Sequence, residues 1–335
     1  MTTFADLPRV PLAHLPTRLQ ACPQLAPLVG GREVWVKRDD ETSTLASGNK
    51  LRKLEFYLAE AQQQGADTLI TSGGPLSNHC RTTAVVAREH GMDVGLLLVG
   101  PEDPVVDGNY LLMNLLDAAV RIVPPGHGRP GDEIMEEMAE VFRARGQRPY
   151  IVPGGGSAPL GVVAYALAAR ELVEQLREMS LSVDAVTITV GSGSTHAGLV
   201  LGAYLFGLEA RVIGMSISAP AQAAEAKARR LIDETIERFS LPVAVPDEGI
   251  RVCEGYVGEG YGVPQDEDLA AIADVARRTG IILDPTYTGK ALRGTMAEMN
   301  DGLLADCRRV VFVHTGGLFG LFPKRQRFAF KLRRV

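Results

Sequence analysis

The feature that most constrains this chain is alternation. Short runs rich in Val, Ile and Leu recur along it, and stretches with helical spacing separate them. "EVWVKRDD" (33–40), "DTLITSGG" (67–74), "DVGLLLVG" (93–100), "AAVRIV" (118–123) and "RPYIVPGGG" (148–156) read as strands. Helices are predicted between them at 51–65, where Leu51, Leu54 and Leu58 share a face before Gly65, and at 77–91, 107–117 and 131–146. The pattern restarts after "PGGGSAPLG". It predicts a helix at 159–178, strand "DAVTITV", a helix at 196–207 and strand "ARVIGMSIS", then helices at 221–238, 266–279 and 288–300 and strand "RRVVFVHTGG". A chain that alternates strand and helix in this way builds parallel sheets with helices on their faces. The expected fold class is α/β: two domains with open, twisted, mainly parallel sheets flanked by helices. The glycine-rich stretch 153–157 reads as a boundary between them.

Composition removes several functional classes. A chain of 335 residues is long enough to bury two cores. A net charge of −5 gives no general basic field for nucleic acid. No apolar run reaches the ~18 residues of a membrane span, and "MTTFADLPRV" does not read as a secretion signal. Cys22, Cys80, Cys253 and Cys307 form no C-x-x-C pair. Neither structural zinc nor a disulfide framework is expected, and a reducing cytoplasm fits.

An open α/β sheet binds ligands where strands end in glycine-rich turns. "TSGGPLSNHCR" (71–81) is one such turn: Ser77 can cap a helix whose first turn holds Asn78 and His79, and free N–H groups there suit a carboxylate. "TVGSGSTHAGL" (189–199) is a second, with hydroxyls, free N–H groups and no bulky side chain to keep a phosphate away. It carries neither a nucleoside-triphosphate loop nor a dinucleotide fingerprint. "VFVHTGG" (311–317) is a third. "SGNKLRKLEF" (47–56) adds Lys50 at a helix start, where the helix dipole disfavours a cation and so favours the neutral amine that Schiff-base chemistry needs. Lys53, one turn on, reads as an ordinary solvated surface lysine.

Taken together, "SGNKLRKLEF", "SNHCRTTA", "GSGSTHAGL", "GYGVP", "LDPTYTGKA" and "HTGG" resemble the D-cysteine desulfhydrase and 1-aminocyclopropane-1-carboxylate (ACC) deaminase family, from about residue 10 to 320. These are pyridoxal 5'-phosphate enzymes of the tryptophan synthase β-subunit-like fold, fold type II. The resemblance implies a large cofactor-binding domain, 1–46 with 158–335, into which 47–157 inserts as a small domain, with the cofactor in the cleft between them. It implies that Lys50 carries the cofactor and shuttles a proton, and that Asn78 meets the phenolic oxygen. Ser77, Asn78 and His79 would hold the substrate carboxylate. Gly191, Ser192, Gly193, Ser194 and Thr195 would cradle the phosphate, Thr315 would meet the pyridine nitrogen, and Tyr261 and Tyr287 would be the two active-site tyrosines.

The residues that part the branches of the family are also visible. ACC deaminases carry Glu after the second tyrosine and Leu in place of the Thr of "HTGG"; here those positions are Thr288 and Thr315. A neutral hydroxyl at the pyridine nitrogen makes a milder electron sink, which suits β-elimination of a good leaving group. The expected activity is therefore D-cysteine desulfhydration, giving pyruvate, sulfide and ammonia. "PGGGSAPLG" and "GYVGEGYG" look more like the L-cysteate sulfo-lyase branch, and Leu76 stands where desulfhydrases usually have Gln. L-cysteate cleavage, ACC deamination and a catalytically silent relative stay open as alternatives. The resemblance also implies a homodimer formed mainly by the C-terminal domain. Residues 324–335 hold Lys324, Arg325, Arg327, Lys331, Arg333 and Arg334. Their apolar alternation at Phe328, Phe330 and Leu332 predicts an edge strand or extended arm over 327–333, against the alternative of a loose, solvated end.

Overall fold

A computed structural model describes Phe4 and residues 7–329. The strands separate into two sheets. The larger collects β1 (Leu19–Ala21), β2 (Glu33–Lys37) and, far along the chain, β7 (Ala185–Val190), β8 (Arg211–Ser216), β9 (Arg251–Cys253) and β10 (Arg309–Val313), in the order β1-β2-β10-β7-β8-β9. All its neighbours are parallel except β1, which pairs antiparallel with β2. The smaller sheet is wholly parallel: β3 (Thr68–Gly73), β4 (Asp93–Val99), β5 (Ala119–Val123) and β6 (Pro149–Ile151), in the order β5-β4-β3-β6.

Helices lie between the strands as a parallel sheet requires. They are α1 (Asn49–Gln63), α2 (Asn78–Glu89), α3 (Gly108–Leu115), α4 (Gly131–Arg143), α5 (Pro159–Glu178), α6 (Ser194–Phe206), α7 (Ala221–Phe239), α8 (Asp266–Thr279) and α9 (Thr288–Asp301). Parallel strands covered on both faces become continuously apolar: every residue of β7 is buried, and Phe312 of β10 is fully enclosed. Truncating Phe312 to Ala would cost about 3–5 kcal/mol.

Predicted and observed elements agree within a few residues, with informative exceptions. The three-residue strands β1 and β9 are too short to show a period and were not expected. Helix α1 begins at Asn49 rather than Leu51, so Lys50 lies within its first turn. In the tail, Phe322–Arg327 form a 3-10 turn, so Lys324, Arg325 and Arg327 are not extended. Local i to i+3 bonds, such as Phe328 N–H to the Arg325 carbonyl at 3.3 Å, compete there with strand pairing. The expected edge strand reaches beyond 329, and Phe330, Lys331, Leu332, Arg333 and Arg334 lie outside the described residues. No described helix is long and apolar enough to cross a membrane.

Candidate active site

Strand order explains why distant motifs meet. Because β10 pairs with β7, from Val310 opposite Ala185 to Val313 opposite Ile188, their following loops 191–195 and 314–317 lie side by side. Because β3 pairs with β6, the turn before α2 lies beside 152–156. Lys50 joins the two sheets: its Nζ donates to the Gly155 carbonyl at 2.9 Å. The resulting cleft is lined by Asn49, Lys50, Asn78, Thr189, Gly191, Ser192, Gly193, Thr195, Tyr287 and Thr315. Most of the residues singled out from sequence therefore converge. Ser77, His79, Ser194 and Tyr261 are not part of this lining.

The loop before Lys50 needs its glycine. Gly48 has φ +109°, and a Cβ there would stand 2.6 Å from the Thr315 carbonyl oxygen. That oxygen accepts from the Asn49 N–H at 3.1 Å, and Asn49 Nδ2 donates to Thr195 Oγ1 at 3.0 Å. The start of α1 is thus pinned to both loops of the larger sheet. His314 shapes the second loop: its Nε2 lies 3.1 Å from the Ile282 carbonyl, and Gly316 N–H donates to its Nδ1 at 3.2 Å.

The strongest electrostatic feature is a group of lysines without an acid. Burial pushes Lys50 down to about 8, with the nearby Lys227 charge a smaller contribution in the same direction. Removal from water is the largest cause of that shift. Lys53 overturns its reading as a solvated surface residue. It is fully buried, its Nζ donates to Ser194 Oγ at 2.8 Å, and burial with the Lys50 charge holds it well below the ordinary lysine range. Ser194 Oγ in turn donates to the Gly156 carbonyl at 2.9 Å. The helical period had suggested a water-facing side for α1, but α1 is packed between elements of both sheets and has none at this point.

Beside these lysines, α6 opens at Ser194, so its first N–H groups face the 191–195 loop without helical acceptors. Thr189 Oγ1 lines the same cleft, buried and without a partner among the described residues. A dianionic phosphate fits this donor set: free N–H groups, hydroxyls and uncompensated cations, with no Asp or Glu in the lining.

On the other wall, Ser77 caps α2, its Oγ accepting from Cys80 N–H at 3.1 Å. The His79 ring is not turned to the cleft. It is buried, and its Nε2 is 2.8 Å from Thr71 Oγ1, which donates to the Val152 carbonyl. Burial, then the Lys50 and Lys53 charges, pushes His79 well below its usual range, so the ring is neutral. Tyr287 and Tyr261 share a hydroxyl–hydroxyl contact, with ring centroids 5.7 Å apart in an edge-to-face pair. Burial, reinforced by Tyr261, keeps the Tyr287 phenol protonated far above its ordinary range.

Asp284 was missed from sequence. Fully buried, it accepts from the N–H groups of Thr286 (2.9 Å), Tyr287 (3.0 Å) and Thr288 (2.8 Å) and from Thr288 Oγ1 (2.8 Å), and so holds Tyr287 at the start of α9. The Asp-Pro-Thr-Tyr-Thr run, with an Asx ahead of a helix, was the available signal.

Comparison with known proteins bears on the whole of this scaffold. The family model described as pyridoxal-phosphate dependent enzyme matches residues 10–316. The D-cysteine desulfhydrase of Klebsiella pneumoniae is 37% identical, over 96% of this chain and 98% of its own. The mitochondrial bifunctional D-cysteine desulfhydrase/1-aminocyclopropane-1-carboxylate deaminase of Arabidopsis thaliana is 38% identical, over 95% of this chain and 80% of its own. A crystal structure of an ACC deaminase homologue superposes with a TM-score of 0.87 at 34% identity, covering 97% of this chain and 96% of that one. With the match spanning both sheets and every loop of the cleft, the chain belongs to the pyridoxal-phosphate dependent enzymes, in the D-cysteine desulfhydrase and ACC deaminase family.

Proposed function

We propose that this enzyme eliminates sulfide from D-cysteine: with one water, D-cysteine gives pyruvate, hydrogen sulfide and ammonia. The observation that favours β-elimination over ring opening is a cleft lining without a carboxylate. Thr315 is the side chain available to the pyridine nitrogen. Thr288, where an ACC deaminase would carry Glu, is committed to Asp284. An electron sink of that kind supports loss of a good leaving group from the carbon next to the reacting centre more than opening of an unactivated ring.

When bound, pyridoxal phosphate supplies stabilisation of negative charge at the substrate Cα. In this reading the 191–195 loop and the start of α6 hold its phosphate, with Lys53 and Lys227 supplying charge behind them. Lys50 carries the cofactor and returns as the base that takes the Cα proton; its burial supports that role. The substrate carboxylate is held by the N–H groups at the start of α2 and by the Ser77 hydroxyl. With its ring engaged by Thr71, His79 contributes backbone rather than charge. Tyr287, neutral and steadied by Tyr261, donates a proton near the leaving group. Residues 47–157 act as a small domain that closes on the larger one, and the enzyme works as a homodimer in the cytoplasm.

The test is a substrate panel: D-cysteine, L-cysteine, β-chloro-D-alanine, L-cysteate and ACC, scored for pyruvate, 2-oxobutanoate, sulfide and sulfite. Pyruvate with sulfide from D-cysteine is expected. Sulfite from L-cysteate, in line with the "GYVGEGYG" motif, or 2-oxobutanoate from ACC would replace this reading. A monomer by light scattering at micromolar concentration would remove the dimer.

A further inference from the structure

Asn109 lies in the first turn of α3, outside the cleft and fully buried. Its Nδ2 donates to the Leu76 carbonyl at 2.9 Å and to Asn78 Oδ1 at 3.0 Å. The two ends of a carboxamide have nearly the same shape and opposite hydrogen-bonding sense. A backbone carbonyl can only accept, so the Leu76 contact demands nitrogen at that end of Asn109. The same nitrogen then demands oxygen from Asn78. With Oδ1 taken, Nδ2 is the end of Asn78 left for the cleft that it lines.

Asn109 Oδ1 is buried without a partner among the described residues. Turning the amide over would set its oxygen against two acceptors, so the donor orientation is the better of the two. The residue is also braced. Asp107 caps α3, its Oδ1 accepting from Gly108 N–H at 2.8 Å, and its other oxygen pairs with Arg325. Gly108 has φ +53°, and a Cβ there would collide with the Phe319 carbonyl oxygen at 2.2 Å. The C-terminal segment therefore fixes where α3 begins, and with it Asn109.

We infer that Asn109 is a positioning residue that decides which end of the Asn78 amide the cofactor meets, so that the cleft always presents an N–H donor there. The inference rests on the reading that Asn78 faces the cofactor's phenolic oxygen. A donor at that oxygen stabilises its ionised form and weakens its hold on the proton it shares with the lysine-linked nitrogen. Removing the donor raises the pH at which that proton leaves; presenting an oxygen raises it further.

The experiment is a pH titration of the visible absorbance of the cofactor-loaded wild type, Asn109→Leu and Asn109→Asp, with melting temperature and cofactor affinity measured alongside. Leucine removes the donor at similar size. An ionised aspartate offers only acceptors, so it draws Asn78 Nδ2 away from the cleft. The midpoint is expected to rise in the order wild type, Leu, Asp, the last by on the order of one pH unit. In an Asn78→Ala background, Asn109→Asp should add nothing to the midpoint. Coincident midpoints in wild type and Asn109→Leu, with only the melting temperature changed, overturn the inference and leave Asn109 a packing residue. Should the aspartate variant not fold, the leucine variant carries the test. A wild type with no visible band on loading would instead sink the assignment of the cleft.

Discussion

Helix α1 carries Arg52 and Lys53 as neighbours in sequence, both buried, and surrounds them in opposite ways. Arg52 forks onto Asp39, at 3.0 and 2.8 Å, and onto Glu171, at 2.9 and 2.9 Å. Lys37 shares Glu171 and also donates to the Thr17 carbonyl and Gln175, while Tyr165 donates to Asp39 at 2.6 Å. Two cations face two carboxylates. Burial opposes the Arg52 charge, but the two acids outweigh it and raise Arg52 well above its ordinary range. Burial alone would lift Asp39; Arg52 and Lys37 outweigh that and hold it low. Lys50 and Lys53 have only a carbonyl and a hydroxyl for partners, and burial wins. A closed network of this kind joins α1 to β2 and α5 and holds the helix still. An open one leaves amines that release their protons easily and that an anion would steady as cations. The same helix thus carries a charge-balanced cluster and, one residue on, an unbalanced one.

That contrast can be broken from either side. Lys50→Ala should fold and retain some cofactor through the phosphate loop, yet lose turnover by at least about 10³-fold; a steady-state assay showing a tenth of wild-type activity would contradict its role. Borohydride reduction and peptide mapping of the wild type should label Lys50 and not Lys53.

Arg52→Leu strands Asp39 and Glu171 and should destabilise the protein by about 3–5 kcal/mol. Urea unfolding reads this directly, and a loss below about 1 kcal/mol would mean that the network is not closed by Arg52. Lys53→Met should do the reverse. It removes a strained cation, so the apoprotein should be as stable as wild type or more so, whereas cofactor affinity should fall roughly 10-fold. Equal affinity in equilibrium dialysis would detach Lys53 from the anion site.

The smallest effect is a matter of pH. An ordinary lysine in the unfolded chain keeps its proton to 10.5, whereas folded Lys50 releases it at about 8. Between those values the unfolded state binds more protons, so Lys50 makes stability rise with pH across that window. Cofactor capture by the apoprotein needs the neutral amine and should accelerate with a midpoint near pH 8. A midpoint near 10 in stopped-flow absorbance would show that Lys50 is not desolvated.

Much of this was legible in the residues. Helices α5 and α8 occupy the bounds predicted for them; in the structure Pro159 opens one and Gly280 closes the other, by local geometry alone. The Ser77 cap and the glycine-rich loops after β7 and β10 were readable for the same reason. Lys53 was misread because periodicity assumes that a helix has a wet side. Asp284 was passed over although its partners, Thr286 to Thr288, are local, whereas Asn109 bonds Leu76 and Asn78, which no local pattern announces.

The alternation of strand and helix, the turns that end each strand and the residue types gathered in them are therefore properties of the sequence itself. They follow from backbone preferences and side-chain spacing within a few residues. Which strands become neighbours is different. Placing β10 between β2 and β7, and closing β6 against β3, brings together residues as far apart as Lys50 and Thr315. Only that long-range packing removes Lys50 and Lys53 from water, gives Arg52 its two acids and denies the lysines any. A side chain's charge is written in its formula; whether that charge is held, shed or left waiting for a ligand depends on what the fold packs around it.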